Sequence, residues 1–280
     1  MSHPFPVGKG PGGRKMPIES AANPLMKRMR ALGQRKGRER EGAFVVEGIG
    51  PVWQAVEGGA AIETLVVAPE LLTSEPARVM IAGQEAAGVR VAEVSADLFV
   101  RVAARENPSG VAAIVRMEQR GINALAAPAD GLFVTLYEVG NPGNLGTILR
   151  TVDAVGGSGV ILVGDTTDPY HPAAVKASMG TLFRVPIVRA PTYAAVDAWC
   201  TSHAVSTVTT SARATADHWG VTYPTPVCLV FGSEARGLPA DVMQRGAIAV
   251  RIPMEGSARS LNLAVSAGVL LYEVFRQRRE

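Results

Sequence analysis

Cysteines, aromatic residues and long apolar runs are all scarce in this sequence. Its two cysteines, Cys200 and Cys228, form no CxxC pair and have no histidine at zinc-ligand spacing, so we expect neither a disulfide framework nor a metal site. No stretch approaches the roughly 18 consecutive apolar residues of a membrane helix, and no apolar segment follows the basic residues at the N-terminus. These absences predict a reduced cytoplasmic protein with no membrane segment, no secretory signal and no metal.

Aromatic residues make up 5% of the chain, which argues against a broad surface for stacking nucleic-acid bases. The 280 residues are otherwise ordinary for a globular protein, with 47% hydrophobic and 19% charged residues, and their number favours two domains. The net charge is only +3, but the arginines are unevenly placed. We therefore expect a locally basic surface that faces an anionic partner.

Composition and periodicity divide the chain into segments. Residues 1–18 are rich in Gly, Pro and Lys and have no apolar period, which predicts a mobile basic tail. Short valine-rich strands alternate with helices over residues 19–116, which predicts a small α/β domain. Gly, Pro and charged residues then interrupt the pattern at residues 117–130, which we interpret as a linker. Residues 131–280 repeat strand and helix and predict an α/β domain with an open parallel sheet.

A basic segment opens the first of these domains. From Asn23, four apolar residues recur at helical spacing and predict a short amphipathic helix. The almost unbroken positive charge around them favours contact with RNA phosphates, because a merely solvated face, the alternative, normally mixes charges of both signs. The candidate RNA-binding residues are Lys27, Arg28, Arg30, Arg35, Lys36, Arg38 and Arg40.

A glycine-rich turn joins a strand to a helix in YEVGNPGNLGTILRTVDAVGG. Such junctions lie at the carboxyl edge of a parallel sheet, where ligands bind. The GxxGxxG spacing differs from the GxGxxG of dinucleotide sites, and the chain has no GxxxxGKS/T, so a nucleotide site of either kind is poorly supported. Arg150 follows Asn144 by about one and a half turns, so both could reach one ligand, although a helix cap and a surface charge are the alternative.

Two further glycine-rich motifs follow strands nearer the C-terminus. In PVCLVFGSEARGLP an apolar strand runs into a loop that holds Glu234 between glycines, which is an unusual place for a carboxylate that serves packing alone. In AIAVRIPMEGSARSLNLAVSAGVLLYE a strand and a loop precede a nearly all-apolar helix. We expect that helix to be buried on several faces, in a core or against another subunit.

The segments NPGNLGTILRTVDAVGG, LVFGSEARGLP and IPMEGSARSLNLAVSAGVLLYE together resemble the three motifs of the SpoU-type (TrmH-like) branch of the trefoil-knot RNA methyltransferases, in the same order and at similar separations. The stretches NPLMKRMRALGQRKGREREGAFVVEG and ARENPSGVAAIV are similar to the small substrate-binding domain of many of these enzymes. The resemblance covers nearly the whole chain after the tail.

The resemblance implies a deep trefoil knot in the C-terminal parallel-sheet domain, a homodimer that completes the active site, and S-adenosylmethionine as the cofactor. It implies that knot-loop backbone at Gly232, Ile252 and Leu261 holds the cofactor. The catalytic residues that it implies are Asn144, Arg150, Glu234, Ser260 and Asn262. The expected reaction is transfer of a methyl group to a ribose 2′-hydroxyl of structured RNA, with 23S ribosomal RNA favoured.

Other functions stay open at this point. The expected rRNA methylation would serve either housekeeping or resistance to an antibiotic, and transfer RNA is the alternative substrate. A nucleotide-dependent oxidoreductase lacks both the glycine spacing and an acidic ribose ligand after the next strand. A non-catalytic RNA-binding or ribosome-assembly factor is disfavoured by the presence of Asn144, Arg150 and Glu234.

Overall fold

A computed structural model describes residues 16–104 and 106–280. Most of the predicted basic tail, residues 1–15, lies outside this description. The described chain forms two compact units, the first of residues 16–56 and 61–116 and the second of residues 57–60 and 117–280. Each unit has its own sheet and its own core.

The first unit contains five helices and four strands within the described residues. They are α1 (Pro24–Leu32), α2 (Arg35–Glu41), β1 (Ala43–Glu47), α3 (Ile49–Glu57), β2 (Ile62–Val67), α4 (Glu75–Ala86), β3 (Arg90–Glu93), α5 (Ala96–Val102) and β4 (Val111–Arg116). The sheet order is β1-β4-β2-β3, in which only β2 and β3 pair parallel. This agrees with the small α/β architecture expected from the alternating strands and helices.

The basic segment forms two helices where the sequence suggested one. Helix α1 begins after Asn23, whose side chain accepts a hydrogen bond from the Leu25 N–H, and its apolar face is buried against the first sheet. The chain breaks at Gly33 and restarts as α2. At Gly37 in α2, a Cβ would lie 1.9 Å from the carbonyl oxygen of Ala31, so only glycine allows the two helices to approach this closely.

The second unit carries the larger sheet. Its elements are β5 (Leu132–Tyr137), α6 (Pro142–Ala154), β6 (Gly159–Val163), α7 (Pro172–Ser178), β7 (Ile187–Ala190), α8 (Tyr193–Ser202), β8 (Ser206–Thr210), β9 (Ala216–Asp217), β10 (Val227–Phe231), α9 (Ala240–Arg245), β11 (Ile248–Arg251) and α10 (Leu263–Gln277), with short 3-10 helices at Ile122–Ala124 and Thr181–Phe183. Strands β5, β6 and β10 are buried on nearly every residue, as expected of strands covered by helices on both faces.

All strand pairs of the larger sheet are parallel, in the order β7-β6-β5-β10-β8-β11-β9. This confirms the predicted α/β class with a parallel C-terminal sheet. The chain places β5 to β7 on one side and β8 and β9 on the other, and β10 then returns between β5 and β8. Strand order alone does not establish threading, so the trefoil knot stays a prediction.

Some elements were not predicted from the sequence. Helices α5 and α9 and strand β9 are short, with seven, six and two residues, and are too brief for an apolar period to develop. Ile122 and Leu125, within the segment interpreted as a linker, are buried in the core of the second unit. Among the described helices, none has both the length and the apolar character needed to cross a bilayer.

Candidate active site

A pocket of about 630 Å³ lies within the second unit, where β8, β10 and β11 end. This is the carboxyl edge of the parallel sheet, on either side of the point where the strand order reverses. Its size is in the range of small-molecule sites. Four of the five predicted catalytic residues line it, namely Asn144, Glu234, Ser260 and Asn262.

The first motif places Asn144 at this pocket. The side chain of Asn141 caps α6 by accepting hydrogen bonds from the N–H groups of Gly143 (2.8 Å) and Asn144 (3.3 Å), which starts the helix directly after the turn. Asn144 therefore lies in the first helical turn and is buried, with 7% of its surface exposed. The alternative that Asn144 merely caps the helix is wrong, because Asn141 has that role.

The third glycine of the motif serves packing. A Cβ at Gly146 would lie 2.5 Å from the carbonyl oxygen of Ala174 and 2.7 Å from the Cβ of Ala177, both in α7. Helices α6 and α7 can therefore touch only because residue 146 has no side chain. The GxxGxxG pattern thus combines a turn with a helix contact, and it gives no support to a dinucleotide site.

Glu234 is fixed by hydrogen bonds from the first motif. Its Oε1 accepts from the Asn144 Nδ2 at 2.8 Å, and its Oε2 accepts from the Gly140 N–H at 3.3 Å. Partial burial alone would raise the pKa of Glu234, but hydrogen bonds from its own N–H, from Asn144 and from the N–H groups of Gly140 and Asn141 lower it overall. Glu234 is therefore a carboxylate at neutral pH and a weak proton acceptor.

Asn262 joins the same network from the start of α10. Its Oδ1 caps that helix by accepting from the Ala264 N–H at 2.9 Å, which leaves its Nδ2 to donate to the Asn144 Oδ1 at 3.0 Å. The three motifs thus meet in one series of hydrogen bonds, Glu234 to Asn144 to Asn262. The sequence placed these residues at one site, and their direct contact is what the structure adds.

The three residues predicted to hold the cofactor, Gly232, Ile252 and Leu261, all line the pocket. At Gly232 a Cβ would lie 2.1 Å from the carbonyl carbon of Gly237, because residues 233–237 fold back and pair Ser233 with Gly237. The glycine therefore lets the loop close tightly at the end of β10. The closed loop forms one wall of the pocket.

Arg150 is the predicted catalytic residue that the structure does not bring to this pocket. It lies on the exposed face of α6 and is absent from the pocket lining. The expectation that Arg150 and Asn144 reach one ligand within the same chain is therefore not met. Its distance from the pocket follows from its position on the outer side of the helix, opposite the buried Ile148 and Leu149.

The basic residues of the first unit divide into different environments. Arg38 is buried, with 1% of its surface exposed, and its Nη1 donates to the carbonyl oxygens of Leu32 (3.1 Å) and Gly33 (3.0 Å). Its prediction as an RNA contact is wrong, because the guanidinium group satisfies the end of α1 instead. Arg28 is half-buried and bonded to Glu41 and Glu63, each at 2.7 Å.

The remaining candidates are exposed. Arg35 and Arg40 form surface ion pairs with Glu39 and Glu41. The other three candidates, Lys27, Arg30 and Lys36, are exposed and have no carboxylate partner in the described chain.

Sequence reasoning missed the loop after β8, where Thr210, Ser211 and Arg213 line the pocket. It also missed two further arginines of the lining, Arg236 and Arg251. The rule that ligands bind at the carboxyl ends of parallel strands would have drawn attention to this loop, since VSTVTTSAR ends a predicted strand in polar residues. In the described chain, no cluster of three or more His, Cys, Asp or Glu side chains is arranged to hold a metal.

Comparison with known proteins identifies this arrangement. Residues 131–272 match the SpoU rRNA Methylase family, and residues 23–113 match the MRM3-like substrate binding domain. The chain belongs to the SpoU rRNA Methylase family. The first match covers the three motifs that build the pocket, so the resemblance inferred from them is confirmed.

Individual SpoU relatives match along nearly their full lengths. The 23S rRNA (uridine(2479)-2′-O)-methyltransferase of Streptomyces viridochromogenes is 33% identical, with 88% of this chain and 87% of the relative covered. The 23S rRNA (guanosine(2553)-2′-O)-methyltransferase RlmP of Bacillus subtilis is 28% identical, with 92% and 98% covered. The AdoMet-bound rRNA methyltransferase of Sinorhizobium meliloti superposes with a TM-score of 0.85 at 36% identity, with 93% and 97% covered.

Proposed function

We propose that this protein transfers a methyl group from S-adenosylmethionine to the 2′-hydroxyl of a specific ribose in 23S ribosomal RNA. The observation that carries the proposal is the series of hydrogen bonds from Glu234 through Asn144 to Asn262, which joins all three SpoU motifs at one pocket. The relatives above that are named for a nucleotide act on 23S rRNA, at a uridine in one case and a guanosine in the other. The modified nucleotide thus differs among relatives and has to be measured here.

The pocket fits the proposed cofactor. It combines the volume of a nucleoside-sized ligand with apolar side chains at Ile252 and Leu261 and a backbone wall at Gly232. Bound S-adenosylmethionine supplies an electrophilic methyl group on a sulfonium. We assign Gly232, Ile252 and Leu261 to holding it.

Within this site, Glu234 orients Asn144. Because its pKa is lowered, the carboxylate is a poor general base near neutral pH, but it is a strong and permanent hydrogen-bond acceptor. It fixes the Asn144 amide from one side while Asn262 fixes it from the other. An amide fixed in this way next to the pocket can orient a ribose so that its 2′-oxygen approaches the methyl group in line. Holding the two substrates in this geometry lowers the barrier to their reaction. Ser260 lies beside Asn262 and we assign it to the same wall.

Arg150 acts, in this proposal, in the pocket of a second copy of the chain. It is exposed on α6, and the neighbouring helix α10 exposes two large hydrophobic side chains, Val265 and Tyr272, beside its buried face. Exposed apolar side chains on packed helices are suited to a symmetric dimer contact. A guanidinium group stays protonated in proteins, so we assign Arg150 to clamping a phosphate and stabilising the charge that grows on the 2′-oxygen.

The first unit would recognise the RNA. Lys27, Arg30 and Lys36 offer exposed positive charge to phosphates, and the match to a substrate-binding domain covers this segment. We place the protein in the cytoplasm, where ribosomal RNA is available.

The test is a methyl-transfer assay with labelled S-adenosylmethionine and, separately, ribosomal RNA and transfer RNA. We expect label in 23S rRNA at one position, and that position should resist alkaline cleavage because its 2′-oxygen is methylated. Label in transfer RNA alone would replace the substrate, and bound cofactor without transfer to either RNA would favour a binding or assembly role. The wild-type protein is compared with Asn144→Ala, whose fold is checked by circular dichroism.

A further inference from the structure

The loop between β8 and β9 contributes a cation to the pocket that the three motifs do not include. Arg213 lines the pocket and is solvent-exposed. The loop is held in place at Ser211, whose N–H donates to the carbonyl oxygen of Val250 (3.0 Å) and whose Oγ accepts from the Arg213 N–H (3.1 Å). The buried Ala214 then anchors the turn. The position of the Arg213 backbone is therefore set before any ligand binds.

The other charged side chains of the pocket are already matched. Arg236 bonds to Glu138 at 2.9 Å, Arg251 bonds to Asp217 at 2.7 Å, and Glu234 accepts from Asn144. Arg213 differs, since no carboxylate in residues 16–104 and 106–280 forms an ion pair with it. A cation at a pocket wall without an internal counter-ion is suited to an anionic group on the ligand.

The sheet order indicates which ligand that is. Strand β8 lies between β10, which leads into Gly232, and β11, which leads into Ile252. Arg213 is thus flanked by the two loops assigned to the cofactor. Asn144, assigned to the ribose, follows β5 on the far side of β10. An anion at Arg213 is therefore more readily part of the cofactor than an RNA phosphate.

We propose that Arg213 binds the carboxylate of the methionine moiety of S-adenosylmethionine. The inference rests on the proposed function and adds a cofactor-binding residue outside the three motifs. Its guanidinium can donate two parallel hydrogen bonds to a carboxylate, which gives both affinity and orientation. Arg213 thereby selects a nucleoside that carries a free carboxylate over one that lacks it.

The experiment measures binding of two ligands by titration calorimetry. S-adenosylmethionine carries the carboxylate, and decarboxylated S-adenosylmethionine differs by that group alone. For Arg213→Gln we expect affinity for the first to fall about tenfold or more, and affinity for the second to change by less than about threefold, as the loss of a charge-assisted hydrogen bond predicts. Arg213→Lys should recover part of the preference for S-adenosylmethionine, because lysine restores the positive charge but not the two parallel N–H donors of a guanidinium group.

Arg251→Gln is the matched control, since it removes the same charge from the pocket lining at an arginine already paired with Asp217. Its ratio of affinities for the two ligands should equal that of the wild type. Equal loss of both ligands in Arg213→Gln would overturn the proposal, as would an intact cofactor affinity with a raised KM for RNA, which would assign Arg213 to a phosphate. A wild-type protein that binds neither ligand would instead remove the proposed function, and this inference with it.

Discussion

The Asn144 Oδ1 accepts a hydrogen bond from the Asn262 Nδ2 at 3.0 Å, so the first turn of α6 is tied to the start of α10. Each of the two side chains makes a second hydrogen bond. Asn144 donates to Glu234, and Asn262 caps its own helix by accepting from the Ala264 N–H. Neither amide can rotate without losing a partner. The arrangement therefore fixes which atom of each amide faces the pocket.

Asn144→Ala should lower kcat strongly and leave the fold intact. It removes both hydrogen bonds of the network and leaves the Glu234 carboxylate with backbone donors only. We expect a loss of about 100-fold in kcat, the magnitude typical of removing one preset polar group from an active site. Single-turnover kinetics with saturating cofactor measure this. Near-normal turnover in the folded variant would remove Asn144 from the catalytic assignment.

The lowered pKa of Glu234 gives a signed prediction for stability against pH. The folded-state pKa lies below the unfolded value of about 4.5, so the ionised carboxylate stabilises the fold above that pH. The contribution is lost as the pH falls through the lowered folded pKa. The difference in free energy of unfolding between wild type and Glu234→Gln should therefore be constant from about pH 6 to 8, where the carboxylate is ionised in both the folded and the unfolded state. It should shrink in acid.

Urea unfolding at a series of pH values measures that difference. Glu234→Gln keeps one acceptor oxygen and the side-chain size, so it isolates the charge. A difference that grew as the pH fell would show that the folded protein raises the pKa of Glu234. It would then make Glu234 a candidate general base.

Mixing two inactive variants tests the dimeric site. Arg150→Ala and Glu234→Ala should each be nearly inactive alone, because each lacks one component of every pocket. Random reassociation of equal amounts should restore about a quarter of wild-type activity, since half of the dimers are mixed and each mixed dimer has one complete site. Mixed samples without recovered activity, together with a monomeric mass in solution, would place Arg150 outside the site.

Gly146→Ala should destabilise the second unit by about 1–3 kcal/mol, the usual cost of forcing extra atoms into a packed contact. The new methyl group would meet the backbone of α7 at 2.5 Å. Gly83→Ala in α4 is the matched control, because a Cβ there meets nothing within 4 Å and α4 is not part of the dimer contact proposed for α10. It should leave stability unchanged or raise it by about 0.5–1 kcal/mol, as expected inside a helix. Thermal unfolding of both variants compares them.

Two sets of basic residues should respond differently to substitution. The triple variant Lys27→Gln, Arg30→Gln, Lys36→Gln should weaken RNA binding and reduce the slope of log affinity against log salt, because fewer phosphates are neutralised. Arg38→Gln should lower stability instead, since it removes donors to the carbonyl groups that end α1. Filter binding at several salt concentrations separates the two. An unchanged salt slope in the triple variant would direct attention to another surface.

The sequence was sufficient where the signal was periodic or repeated over a long segment. The strands β5, β6 and β10 are continuous apolar runs, as predicted. That the residues following β10 and β11 share one site was implied by the resemblance to the SpoU motifs, and these residues line one pocket. Its failures are local. A charge pattern cannot distinguish an exposed arginine from Arg38, whose burial depends on the break at Gly33 and on the close approach at Gly37.

The same limit explains Arg150 and Arg213. Helical spacing fixes the angle between Asn144 and Arg150, but it does not fix which side of the helix faces the pocket. Arg213 has no distinctive motif around it, and it reaches the site only because β8 lies between β10 and β11. That neighbourhood is a property of strand order, which the sequence did not reveal.

The hydrogen bonds of the site close over long stretches of chain, with 90 residues between Asn144 and Glu234 and 118 between Asn144 and Asn262. During synthesis, α6 leaves the ribosome well before either partner exists. A chain that stops short of α10 has the turn and the carboxylate but no finished amide network. The proposed ribose site is therefore complete only after α10 has been synthesised and packed, so methyl transfer would report the fraction of fully finished molecules in a preparation.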